Sequence, residues 1–260
     1  MHNHRLYGAV GAASILASVA GAVLPAGAAM ANEGHIHKGP AVPLGQGTAQ
    51  AWVSMDWNGE PAALGVSVSE AALRGIEALH HGAALTLPLP AEAAGTGFDH
   101  VLLNWNPHGH PPAHIWGSPH FDVHFYMISP AAREAISDKD PEFKTKARRN
   151  PEAHFVPVGY VLESEAIPAM GVHWADASTP EFHGKPFTHT LIYGAWDGQV
   201  TFIEPMIDKS VFDRRETVVA DIRQPAAVAI PGRYPTQYRI DFDPAAAEHR
   251  VVLEGLLPRE

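Results

Sequence analysis

The sequence predicts a mainly β protein, a single barrel- or sandwich-like domain carrying two or three short helices. Three observations predict it. Gly and Pro number 23 each in 260 residues, an excess that favours turns and short strands over long helices. Apolar residues alternate with polar ones in short runs, the period of a half-buried strand. Asp197-Gly198 separates two apolar runs, a strong hairpin signal.

Each element follows from local residues. Residues 48–56 alternate around Trp52, and Asn58-Gly59-Glu60-Pro61 makes a turn into a second strand at 64–68. Ser69 caps a short helix from Glu70 to Leu79. Strands are expected at 83–89 and 98–105, followed by a turn-rich stretch from Asn106 to Pro112. The clearest strand is 119–128. Ser129-Pro130 opens a helix, with Ser at the cap and Pro at the first position. A second helix is expected over 141–149, a loop-rich region over 150–184, and the hairpin strands at 186–195 and 200–206. Two more alternating runs, 236–242 and 249–256, flank Asp243-Pro244.

Residues 1–31 read as a secretory signal. Arg5 precedes an apolar run from Leu6 to Leu24, Pro25 ends it, and Ala29-Met30-Ala31 fits a cleavage site. Residues 32–47 are Gly/Pro-rich and read as a flexible lead-in, leaving 48–260 as the β-rich domain. Export to the periplasm or the medium of a bacterium is the resulting expectation. The mature chain has no run long and apolar enough to span a bilayer by helix.

The net charge of −10, with no Lys/Arg-rich stripe, argues against nucleic-acid binding. The absence of Cys excludes disulfides, thiol catalysis and cysteine-held metal. The 17 His are therefore the feature to explain, and any metal must be held by nitrogen and oxygen.

The strand 119–128, PHFDVHFYMI, places His120, Asp122, His124 and Tyr126 on one face and Phe121, Val123, Phe125 and Met127 on the other. The apolar face must be buried. The polar face lies either in water or against a polar cavity. Residues i and i+4 on a strand are roughly 13 Å apart and residues i and i+2 about 6.6 Å apart. His120/Asp122 and Asp122/His124 are thus easier partners for one ion than His120/His124, and Asp122 is either a ligand or an acceptor orienting a His.

A two-residue turn at Asp197-Gly198 sets Leu191 opposite Glu204 and His189 opposite Met206, on one face. Glu204, in TFIEPM, is then either paired or metal-bound, or an edge-strand carboxylate in solvent marked by Pro205. His173 lies in the Gly-containing segment Met170–Trp174, as a loop-borne ligand or packed on Trp174. His110 and His114 can rim a site, whereas His108 reads as a solvated turn residue.

The strings NWNPHGHPP, PHFDVHFYMI, GVHWAD, FTHTLIYGAWDGQVTFIEPM, RYPTQYRIDFD and RVVLEGL together resemble a family of exported bacterial proteins of unknown function, similar to a Thermus protein. The resemblance covers most of 48–256. It implies a β-rich fold and homo-oligomerisation, but no reaction. The strand also looks like the zinc strand of α-type carbonic anhydrases, with Asp122 departing at the middle position.

Three functions follow. The first is a metal-dependent enzyme. His120, His124, His173 and Glu204 are its ligands and Asp122 and Tyr126 its acid or base. Such a site suits zinc first, and also copper, iron or manganese. The reaction would be hydrolysis or hydration of a small polar substrate. The second is a periplasmic protein that binds a metal or small ligand without catalysis. The third is a structural or assembly protein with the His face as a polar core network.

Overall fold

The computed structural model describes Met1 and residues 35–260. The segment expected to be a signal lies outside these residues apart from Met1. The strands are, in chain order, β1 (Ile36–Lys38), β2 (Val42–Leu44), β3 (Gly47–Met55), β4 (Pro61–Ser69), β5 (Ala83–Pro88), β6 (His100–Asn106), β7 (His120–Tyr126), β8 (Tyr160–Leu162), β9 (Val172–Asp176), β10 (His189–Trp196), β11 (Gln199–Asp208), β12 (Val218–Asp221), β13 (Gly232–Tyr234), β14 (Gln237–Asp243), β15 (Glu248–Glu254) and β16 (Leu257–Arg259). One seven-stranded sheet runs β1-β3-β4-β15-β14-β12, with β2 also on β3. The other runs β5-β6-β7-β11-β10-β9-β8, and β13 and β16 form a small ribbon. All named strand pairs are antiparallel.

The two large sheets make a sandwich, and no barrel closes. Alternation along the strands decides which residues meet. Val66, Val251, Leu253 and Ile240 from the first sheet join Leu103, Val123, Phe125 and Ile203 from the second in one core. Burying each such aliphatic or aromatic side chain contributes about 1.5–3 kcal/mol. β7 donates Phe121, Val123 and Phe125 to this core, so its His-bearing face points outward from the sandwich. That outward face is nevertheless buried along its whole length. Loops wrap over it, and Trp116, Phe187, Ile192, Met206 and Ala175 form a second, smaller apolar layer.

Among the described residues five short α-helices occur rather than two or three: α1 (Glu70–Leu73), α2 (Ala113–Trp116), α3 (Pro130–Glu134), α4 (Phe143–Ala147) and α5 (Lys209–Asp213). Ser69 caps α1 through the Ala72 N–H, as its sequence implies, but α1 ends early because Gly75 adopts a left-handed conformation. The expected lead-in 32–47 is not wholly a linker: β1 and β2 lie along the free edge of β3, and Leu44 is buried. Short Pro/Gly-bounded strands of three residues lack the alternation that reveals longer ones.

The hairpin of β10 and β11 departs from the simple two-residue register. Trp196 faces Gln199 as expected, but a bulge follows, so that Gly194 faces Phe202 and Ile192 faces Glu204. A one-residue slip exchanges the faces of everything beyond it. Glu204 therefore shares a face with Ile192, and His189 turns instead toward the other sheet, where its Nδ1 lies 2.6 Å from the Tyr238 hydroxyl. The shifted register suits glycine at this position: a Cβ on Gly194 would lie 2.0 Å from the Phe202 ring.

Two predictions follow from the core. Phe125→Ala removes a fully buried ring and is expected to lower unfolding free energy by about 3–5 kcal/mol in urea titration. His249 is buried against Phe212 and Phe242. Burial, aided by Arg215, holds its pKa below the ordinary value. Unfolding then takes up a proton below pH of about 6.5, so this contribution is whole above that pH and is lost as pH falls. The stability of His249→Gln should fall less steeply than wild type between pH 7 and 5 in denaturant titrations; an equal slope would contradict this.

Candidate metal centre

β7, β11 and β9 lie close together in the second sheet, β7 beside β11 and β9 two strands away across β10. His124 on β7, Glu204 on β11 and His173 on β9 all project from the outward face into a cavity of about 590 Å³. His124 Nε2 lies 3.3 Å from one Glu204 oxygen and His173 Nε2 lies 3.8 Å from the other. One atom from each of the three falls within 4.8 Å of the others, and all three residues are buried. His173 stands on a strand rather than a loop, paired with Gly194 across β10. Phe202 packs edge-on against both imidazoles, with ring centroids 4.9 Å from His124 and 5.5 Å from His173.

The second nitrogen of each imidazole is engaged. His124 Nδ1 lies 3.3 Å from the Leu102 carbonyl, and His173 Nδ1 lies 2.9 Å from the Ser164 hydroxyl. A carbonyl only accepts, so it fixes the His124 proton on Nδ1 and leaves a lone pair on Nε2. That lone pair faces a carboxylate, which also only accepts when ionised. A proton or a cation must occupy the gap. The electrostatics agree: burial pushes the Glu204 carboxyl well above its ordinary value, with Asp122 and Glu163 adding to the effect. Burial pulls His124 down to about 4 and His173 down to about 3. One Glu204 oxygen has no hydrogen-bond partner. Burial thus keeps both imidazoles in the neutral form that binds a metal, while Glu204 would give up its proton to an arriving cation.

His120 does not join this group, so the four expected ligands do not converge on one point. It sits four residues before His124, and a regular strand keeps the two apart. Instead His120 Nε2 lies 3.1 Å from Asp122. The loop from β6 to β7 brings His110 Nε2 to 3.6 Å from the same carboxylate. Gly109 has φ +64°, and a Cβ there would lie 2.2 Å from the Trp116 carbonyl, so the turn that delivers His110 requires glycine. The centre therefore offers two nitrogens and one oxygen where three nitrogens and one oxygen were expected.

The two expected acid–base residues also find other places. Tyr126 donates from its hydroxyl to the Ala169 carbonyl at 2.9 Å and lies stacked between His100 and His124. Burial raises its pKa, and it supports His124 from below. Burial raises the Asp122 carboxyl, but His110 and His120 lower it further, leaving it well below the usual carboxylate range. A carboxylate held there is a poor proton acceptor at neutral pH. The residue better suited is Glu163, half-buried at the cavity and raised by burial. It stands at the end of β8, and only the carboxylate-bearing loop Leu162-Glu163-Ser164-Glu165 hinted at it.

Glu204→Gln removes a carboxyl whose ionised form is unfavourable to bury and keeps the shape. Its expected result is a higher melting temperature than wild type in chelator, and a smaller rise than wild type on adding zinc, both read by calorimetry.

The comparisons add a partial likeness to one family and no chemistry. No curated protein and no solved structure matches the chain. Residues 56–105 match the family described as TTHB210-like, hypothetical protein TTHB210. The match is shorter than the 48–256 expected, spanning β4 to β6 and ending before the ligand-bearing strands. Over those residues the chain is similar to an uncharacterised Thermus protein family, as its sequence motifs suggest.

Proposed function

We propose that the chain is an exported metalloprotein whose His124, His173 and Glu204 hold one divalent ion, zinc first, for hydrolysis or hydration of a small polar substrate. The observation that carries this is the pairing of three buried ligand atoms with an adjoining cavity. Three protein ligands beside open space match catalytic zinc sites, whereas structural sites close with four. A zinc ion held there would supply a nucleophile, by lowering the pKa of a water to about 7.

The chain's own residues do the rest. Ser164 orients His173, and the Leu102 carbonyl orients His124. Glu163, on the cavity wall, is placed to take a proton. Ile192, Met206 and Trp116 line the same cavity and limit water there. The leader-like segment 1–31 supports export, and N-terminal sequencing of secreted protein should begin at Asn32.

Zinc titration of tag-free protein tests the centre. Ser164→Ala should weaken binding about 10–100-fold by loss of the orienting hydroxyl, and His124→Ala should weaken it further. Equal zinc affinity in wild type and His124→Ala would refute the assignment. Glu163→Gln should leave zinc affinity within about twofold while lowering turnover of an activated ester by about 10²–10⁴-fold.

A further inference from the structure

We infer that the same cavity holds a second divalent cation, bound by His110, His120 and Asp122. This rests on the metal reading of the cavity, but on none of the ligands used for the first ion.

Four observations carry it. The three side chains offer ligand atoms within 4.8 Å of one another. His120 is fully buried and Asp122 nearly so, yet His120 Nε2 and Asp122 Oδ1, 3.1 Å apart, have no hydrogen-bond partner. Unsatisfied buried polar atoms cost free energy unless something fills the space between them. The other imidazole nitrogens are again fixed by carbonyls: His120 Nδ1 at 2.7 Å from Ser118 and His110 Nδ1 at 2.9 Å from Pro111. With Nδ1 so held, both Nε2 atoms face the Asp122 carboxylate, 3.6 Å away for His110 and 3.1 Å for His120, and are the atoms an ion there would take up. Finally, Asn106 donates to the second Asp122 oxygen at 2.6 Å, holding the carboxylate in place as an outer partner of a metal ligand does.

The charge balance of the cavity points the same way. Asp122, Glu163, Glu165 and Glu204 all line it, and no Lys or Arg does. One divalent ion leaves this wall negative; two neutralise it. Asp122 and His124 are two residues apart on one face of β7, so the two centres lie roughly 6–7 Å apart. A ligand with oxygen atoms at both ends of a short span can then touch both ions. Two nitrogens and one carboxylate oxygen suit zinc at the second position as at the first.

Zinc stoichiometry of tag-free protein, by calorimetric titration and by metal analysis after gel filtration, decides the matter. Wild type should bind two tight equivalents, His110→Ala one, and His124→Ala one. His110 is a third exposed, so its truncation should leave the melting curve in chelator close to wild type. Asn106→Ala provides a second route, with the second equivalent expected to weaken about 10–100-fold. A single wild-type equivalent, kept in His110→Ala and lost in His124→Ala, would overturn the second site and leave the first standing. A single equivalent lost in His110→Ala and kept in His124→Ala would support the second site and sink the first. No zinc bound by folded wild type would overturn both.

Discussion

The outward face of β7 carries the constraint on which the site depends. Buried carboxylates there face imidazole nitrogens whose partner nitrogens are already held, three of the four by carbonyls. Ionising Glu204 there is unfavourable without a neighbouring positive charge, and no Lys or Arg lines the cavity, whereas His110 and His120 hold Asp122 low. Burial also keeps His124 and His173 neutral, so they supply lone pairs rather than charge. The rest of the outer layer frames the cavity beside that arrangement. Trp116, Phe187 and Met206 cover one end, and the Ile167–Met170 segment covers another.

The sandwich makes this possible by dividing labour between the two faces of one strand. Phe121, Val123 and Phe125 fix β7 in the main core, so its outward side chains inherit a rigid base. β11 and β9 add Glu204 and His173 from the same sheet. The bulge in β11 aims Glu204 outward, and Gly194 leaves room for the Phe202 ring that packs edge-on against the two imidazoles.

Much of this was legible in the sequence. The strict alternation of PHFDVHFYMI identified β7, its core face and its His/Asp face, and the positions of Glu204 and His173 were singled out by chemistry alone. The fold class followed from turn density and alternation. What stayed hidden depends on non-local geometry. The bulge beyond Ala195 reversed the face of His189, and no residue pattern in a hairpin announces where a bulge falls. The partition of His120 and His124 into separate groups depended on His110 arriving from a loop that only Gly109 allows to turn. Ser164 and Glu163 sit in a short segment without periodicity, so their approach to His173 and to the cavity could not be read from spacing. β1 and β2, each three residues long, are too short to show a period.

The most direct measurement is anomalous diffraction at the zinc edge from crystals of tag-free protein grown with the ion. The account predicts a peak about 2.0–2.2 Å from Nε2 of His124, Nε2 of His173 and a Glu204 oxygen. Ordered side chains at those three residues with no anomalous peak between them, at zinc concentrations that saturate solution binding, would contradict it.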